Sequence, residues 1–445
     1  MAGGNTITAT TKYNQAAINA VSSGANGSAV ISFLESSDNQ TASLKSALLN
    51  IETQTDLNNA ANALTGDQNS ASSITSLSMA NQTNNIVAGR ISNFTANSTG
   101  FGSNGSVSLS NFQQNINKIY NGKNNKYNYD YGDDNNIIIF DLDNNFVDNS
   151  GIWVQTFGGL YDYESKNNQS GFESNVAGIV TGIDMTSTIF GNMDSLIGIS
   201  YGYAISDSES SDNVMGGSST DINSHQISLY NSNYNKSITG FYNSNIINIA
   251  LNSYESERKV LINNFTETAR ANFGGIQYGA KTSLGYIHNL SNRVLVTGSA
   301  AIGYSKLSQD DYTETGAPTV NMKVENKDLD NLTTELSLSL EGKHQKKDSF
   351  KSHYNFSDYS FKPSLGLKWL RNHKTKGQEQ DLQFIAAGSK MKVTGTNLIE
   401  DIYGLNAGME LYERNSGSIF SIDYKLETGS GYVGHFGSLT YRKLF

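Results

Sequence analysis

The chain has 445 residues, a net charge of −10 and 37% hydrophobic residues, with 24 Tyr, 19 Phe, 42 Gly and only 2 Pro. The negative charge argues against a nucleic-acid partner, and the absence of Cys excludes disulfides and thiolate metal sites. No apolar run approaches the roughly 20 residues of a membrane helix, so any membrane span must be built from strands.

The chain opens on Met1-Ala2-Gly3-Gly4 and continues polar, so no signal peptide is visible. An exported protein would be represented here by a fragment, a processed form or a truncated reading frame. Residues 1–150 are rich in Asn, Ser, Thr and Ala and carry no β alternation until their end. Thr55-Asp56 predicts the cap of a short helix with Leu57, Ala60, Ala61 and Leu64 on one face, stopped by Gly66. A second helix is expected over Ser70 to Phe94, with Ile74, Leu77, Val87, Ile91 and Phe94 among small residues, and Arg90. Leu109 to Tyr120 is a third candidate. These helices are narrow and polar, and none has the broad apolar stripe of a helix that covers a large core. A slim helix of small residues suits a confined, wet space; a flexible, partly helical linker is the competing reading. Residues 121–150 are expected to form an irregular connector, with Ile137–Phe140 a short strand or a packed plug.

From Gly151 the texture changes to long segments in which apolar residues alternate with small or polar ones. Ile179, Thr181, Ile183 and Met185 share one face, and Gly178, Val180, Gly182 and Asp184 the other. Leu336, Leu338 and Leu340 oppose Glu335, Ser337, Ser339 and Glu341 in the same way. Twelve strands are predicted: 152–162, 173–187, 195–208, 222–234, 237–252, 270–287, 293–307, 327–343, 356–370, 398–413, 417–427 and 434–445. They exceed the 5–6 residues typical of a soluble sandwich and match the roughly 9–11 that a tilted membrane strand needs. Connections after odd strands are mostly long and polar (Leu261–Ala269, Ser308–Asn326, Arg371–Asn397), and those after even strands mostly short. That asymmetry is the signature of a membrane barrel. The segment near His344–Asn355 is long for a periplasmic turn, and Pro363, without a ladder donor, should sit at a strand start or bulge. The last segment runs to Phe445, and pairing it with the first leaves no open edge.

Trp153-Val154-Gln155 through Gly158-Gly159, Gly171-Phe172, and Gly182-Ile183-Asp184 resemble the opening of the autotransporter β-domain of type V secretion. The likeness continues through Tyr201-Gly202-Tyr203 and Leu229-Tyr230 and covers Gly151 to Phe445. Ala301-Ile302-Gly303-Tyr304, leading to Tyr312 and Gly316, looks most like the surface antigens of obligate intracellular α-proteobacteria. The resemblance implies an all-β fold: a twelve-stranded antiparallel transmembrane barrel with an N-terminal helical segment, one helix of which fills the lumen. It divides the chain into a passenger remnant or junction (1–69), a helical linker and connector that is partly lumenal (70–150) and the barrel (151–445). It implies an outer-membrane translocator that anchors and exports an N-terminal passenger of adhesin or surface-antigen type, the N-terminal region facing the cell surface. The partners implied are outer-membrane lipids, the barrel-assembly machinery and a covalently linked passenger, with no nucleic acid. Leu439, Tyr441 and Phe445 match the aromatic and apolar positions of the assembly signal; Lys443 departs from it and is expected to snorkel. The inward faces carry Asp184, Glu335, Glu341, Glu410, Asp423, Lys281, Lys362, Lys368, Lys425 and Arg442. Arg90 is expected to pair with one of these carboxylates.

The six His residues (His225, His288, His344, His353, His373, His435) are scattered, and no P-loop, Rossmann fingerprint or Gly-x-Ser-x-Gly elbow occurs in a strand–helix context. No cofactor, metal or catalytic residue is assigned. The rival readings are a porin-like barrel plugged by its N-terminal region and a barrel hydrolase, for which only His373 and Asp381 offer a loose match. Asn-Asn pairs at 84–85, 124–125, 135–136 and 144–145 are candidate cleavage points, and none is chosen because Asn is so common here.

Overall fold

The computed structural model describes Val30, Leu34 and residues 38–65, 70–98, 150–165, 171–189, 193–210, 215–235, 240–291, 293–343, 359–388, 390–413 and 416–444. The candidate helix Leu109–Tyr120, the connector at 121–149, the His344–Asn355 segment and Phe445 lie outside these residues.

Among the described residues, the α-helices α1 (Ala42–Leu49), α2 (Gln54–Thr65) and α3 (Ser70–Ser98) precede sixteen strands. Twelve of these close into an antiparallel barrel: β1 (Gly151–Tyr163), β2 (Phe172–Ile189), β3 (Met193–Ser210), β4 (Ser218–Asn235), β5 (Phe241–Ile262), β6 (Phe265–Ser291), β7 (Val294–Gln309), β10 (Leu329–Gly342), β11 (Tyr359–Asn372), β14 (Asp401–Glu413), β15 (Ser418–Gly429) and β16 (Tyr432–Leu444). Each is one of the twelve expected from the sequence. β1 pairs with β16 along its whole length, from Gly151↔Leu444 to Tyr163↔Tyr432. Closure leaves no strand edge to be satisfied in hydrocarbon, where an unpaired backbone group costs several kcal/mol.

The barrel is apolar outside and polar inside. Ile183, Met185, Leu338, Leu367, Leu405 and Ile422 all face outward and are exposed, whereas Ser174, Ser200, Ser206, Ser224 and Ser228 face inward and are buried. A continuous apolar belt of this kind fits lipid and would aggregate in water.

The connections define two rims. At one lie the short turns β2–β3, β4–β5, β6–β7 and β14–β15; at the other lie the segments joining β1–β2, β3–β4, β7–β10 and β11–β14. Three features of the long-loop rim differ from the sequence expectation. Leu261–Ala269 is not a loop: β5 and β6 run on as a hairpin that turns at Asn263-Asn264, with Ile262 opposite Phe265. Asn263 has φ 51°, a conformation that Asn tolerates better than most side chains. The charged run Glu255–Lys259 disguises the strand, but Tyr254, Ser256, Arg258, Val260 and Ile262 keep a period of two and are all buried. Second, the polar segments after β7 and β11 contain β8 (Tyr312–Thr313), β9 (Met322–Asn326), β12 (Glu379–Phe384) and β13 (Lys390–Thr394), which form a separate sheet in the order β13-β12-β9-β8. Third, α1 and α2 do cover a core. Leu44, Leu48, Leu57 and Leu64 pack with the hairpin and the inner face of that sheet. Alanines at 47, 60, 61 and 63 widen the buried face, which a count of large apolar residues overlooks.

Pro363 lies inside β11, opposite Met409, rather than at the strand start. The ladder with β10 ends one residue earlier, at Glu341↔Ser364, so the missing N–H falls outside that ladder. Gly342 faces the ring; a Cβ there would come within 2.7 Å of Pro363 Cδ.

Candidate functional site

The site is the lumen. α3 runs through it, and its polar side chains bond to inward-facing residues on several strands. Near the long-loop rim, Gln309 Nε2 donates to Ser72 Oγ (3.1 Å), Thr75 Oγ1 lies 3.0 Å from Ser208 Oγ, and Ser76 Oγ lies 2.8 Å from Tyr254 Oη. Midway, Asn84 Nδ2 donates to Asn248 Oδ1 (3.2 Å) and Gln226 Nε2 donates to Asn84 Oδ1 (2.9 Å). The helix therefore enters at the long-loop rim and descends toward the short turns. Helix and wall approach closely at a glycine of the wall: a Cβ on Gly202 of β3 would lie 3.0 Å from Thr83 Cγ2. Surrounded on all sides, the helix needs no single broad apolar stripe.

At its lower end Arg90 meets Asp184 of β2. Nε donates to Oδ2 at 2.8 Å and Nη2 to Oδ1 at 2.5 Å, with the side chains 4% and 0% exposed. Tyr230 of β4 also donates its O–H to Asp184 Oδ2 (2.8 Å), and Trp153 Nε1 of β1 donates to Tyr230 Oη (3.0 Å). The carboxylate is thus held by a bidentate guanidinium and a phenol, a charge-assisted arrangement stronger than neutral hydrogen bonds. Two glycines make room for the aromatic partners. A Cβ on Gly182 would come within 2.5 Å of the Trp153 ring, and one on Gly198 within 2.3 Å of Tyr230 Cζ. The pattern Gly182-x-Asp184 is therefore one unit: the first residue leaves space for the indole, and the third carries the acceptor.

The opposite wall carries ion pairs: Lys281–Glu335 (2.9 Å), Lys362–Glu341 (2.8 Å), Lys368–Glu427 (2.7 Å) and Lys425–Glu427 (3.1 Å). Lys368 and Glu427 sit on either side of Gly404 in the ladder and meet across β14. Lys425 also donates to Gln82 Oε1 of α3 (2.8 Å). Arg442 and Glu410 are buried on the same wall, at 3% and 7% exposure. Between this wall and α3 remains a cavity of about 370 Å3.

Of the positions singled out in the sequence, Leu439 and Tyr441 face outward on β16, 59% and 39% exposed, and Lys443 reaches the carbonyl of Ser416 at the short-turn rim. His373 and Asp381 have different partners: His373 Nε2 lies 3.0 Å from Thr334 Oγ1, and Asp381 pairs with Lys327 at 3.1 Å. Among the described residues no group of three His, Cys, Asp or Glu side chains could hold a metal ion. Trp153, Tyr230 and Glu427 were not singled out as site residues from sequence. Trp153 and Gly182 share the inward face with Asp184, and that shared face was the available signal.

A family model for the autotransporter beta-domain matches residues 152–425. The chain belongs to the autotransporter β-domain family. Its curated relatives include outer membrane protein B of Rickettsia typhi, 24% identical over 298 residues, and that of Rickettsia prowazekii, 25% identical over 310 residues. Each match covers 66% of this chain and 17% of the relative. The chain thus spans about a sixth of the length of those proteins. Among solved structures, the autotransporter barrel is similar to the transport unit of AIDA-I from Escherichia coli, with a TM-score of 0.47, 11% identity and coverage of 76% of this chain and 98% of that one. It is also similar to the translocator domain of NalP from Neisseria meningitidis, with a TM-score of 0.45, 14% identity and coverage of 76% and 96%. As an autotransporter barrel, it resides in the outer membrane of a Gram-negative bacterium.

Proposed function

We propose that this autotransporter barrel exports and anchors a surface antigen or adhesin, the passenger being joined to it ahead of α3. The observation that supports this most is the direction of α3, which bonds first at the long-loop rim, through Ser72 and Ser76, and last near the short turns, through Arg90. With the long loops outward, the chain ahead of α3 emerges at the cell surface. A porin plugged by its own N-terminal region has no need to place that chain there. The barrel works by threading and holding a polypeptide, with no catalytic step. Residues 70–150 act as the linker and connector, part of it lumenal, 151–445 as the translocator, and 1–69 as the passenger remnant or junction.

Lipid packs against the outward apolar belt in this reading, and the barrel-assembly machinery reads Leu439 and Tyr441 of the closing strand together with Phe445. Lys443 interrupts that face and is tolerated because its ammonium reaches the rim.

A reporter fused ahead of Gly3 tests the reading. On intact cells it is expected to be accessible to an impermeant label. Combining Tyr441→Asp with deletion of Phe445 is expected to abolish both display and heat-modifiable gel migration. A reporter that stays inaccessible in the otherwise unchanged chain would overturn export. Undiminished display in the altered chain would overturn the assembly signal.

A further inference from the structure

We propose that α1 and α2 form a strap that fastens the N-terminal segment to the β5–β6 hairpin and the β13-β12-β9-β8 sheet, holding α3 from above as Arg90 holds it from below. That the strap lies at the cell surface rests on the export reading; its contacts do not.

Each helix finishes only part of its own C-terminal end: in α1 the Asn50 and Ile51 N–H groups reach the Ala47 and Leu48 carbonyls at 3.3 Å, and in α2 Thr65 Oγ1 donates to the Asn62 carbonyl (3.1 Å). A helix leaves its last carbonyls without internal donors and carries partial negative charge there, yet neither α1 nor α2 has a basic residue in its last turn. A further donor for each helix comes from the barrel. At the hairpin tip, Asn263 Nδ2 donates to the Ala47 carbonyl of α1 (2.9 Å). Lower on β5, Arg258 Nη1 donates to the Ala63 carbonyl of α2 (3.2 Å) and more weakly to that of Leu64 (3.4 Å).

Arg258 has two further partners. Its side chain is 1% exposed and pairs with Glu314, itself 3% exposed, through Nη2 (2.5 Å) and Nε (3.0 Å). Nη2 also donates to the Val320 carbonyl (2.8 Å), while Glu314 Oε2 accepts from the Met322 N–H at the start of β9 (2.9 Å). One guanidinium therefore joins the strap, the hairpin and the sheet, and its partner Ala63 lies 195 residues before it in the chain. Buried charge is tolerated only when it is paired and hydrogen-bonded, so this arrangement belongs to the docked state. The apolar layer agrees. Val260, Ile262 and Phe265 of the hairpin, with Val324 and Phe384 of the sheet, form one buried cluster with α1 and α2, and a single layer has no core without a second one to cover it.

The strap is tested with the full chain in outer-membrane fragments, where both faces are open to trypsin. Lys323 of β9 and Lys392 of β13 have exposed side chains, but cleavage there requires the strand to leave its sheet. Trypsin is expected to cut after them roughly tenfold faster or more in Arg258→Met, and in a chain whose residues 38–65 are replaced by a Gly/Ser linker of equal length, as local unfolding becomes easier. Heat-modifiable migration of the barrel is expected to be retained. Cleavage at the unaltered rate in the linker chain, in which every barrel residue is native, would overturn the proposal even if Arg258→Met failed to insert. A reporter ahead of Gly3 on intact cells reads export independently, so failure of the strap and failure of export give different results.

Discussion

Arg90→Met is expected to weaken docking of α3 in the lumen by about 3–5 kcal/mol, the usual cost of removing one partner of a buried ion pair. The variant strips Asp184 of two charge-assisted bonds and leaves it the Tyr230 hydroxyl, in a position where the carboxylate is 0% exposed. The loss should appear as a lower denaturant midpoint for the folded gel form. It should also raise single-channel conductance in planar bilayers, because the helix then occupies the lumen only part of the time. Adding Asp184→Leu to Arg90→Met is expected to recover part of the stability, since no charge is then stranded. If Arg90→Met has unaltered stability and conductance, the pair does not hold the helix.

The second large effect concerns the wall behind that pair. Trp153→Ala is expected to cost about 3–5 kcal/mol, the range for truncating a buried aromatic, because the indole is 2% exposed and donates to Tyr230. Gly182→Val in the otherwise unchanged barrel is expected to cost about 1–3 kcal/mol by overpacking, since its Cβ would meet the indole at 2.5 Å. In the Trp153→Ala background the same Gly182→Val change should cost little or nothing. A double-mutant cycle measured by reversible urea titration reads this coupling. Additive effects would mean that Gly182 is not there to accommodate Trp153.

These residues also show which parts of the structure were legible in the sequence. The twelve membrane strands were, because each must keep one face toward lipid and one toward the lumen, and that constraint imposes a period of two over its length. Ile183 and Asp184 announce their faces by themselves. The sequence also nominated α3 and Arg90, since a lone cation among small residues stands out. The partner was less legible: inward carboxylates such as Asp184, Glu335 and Asp423 look alike in one dimension. What separates Asp184 is its place beside Tyr230 and Trp153, on strands 46 residues apart for Tyr230. The second core was hidden for a related reason. Its apolar residues are divided among α1, α2, the hairpin and four short strands, and no one segment carries enough of them to rise above a polar loop. Arg258 lies in a charged run that reads as solvated, although it is among the largest fully buried side chains of the molecule.

The direction in which the chain threads the barrel is the central claim, and it is measurable because the chain has no Cys of its own. Ser46→Cys places a single thiol on the exposed face of α1, above the long-loop rim, and Arg293→Cys places one at the short turn between β6 and β7. With a membrane-impermeant maleimide on intact cells, Ser46→Cys is expected to be labelled and Arg293→Cys to react only after the outer membrane is broken. Labelling of Arg293→Cys but not of Ser46→Cys on intact cells would contradict the account.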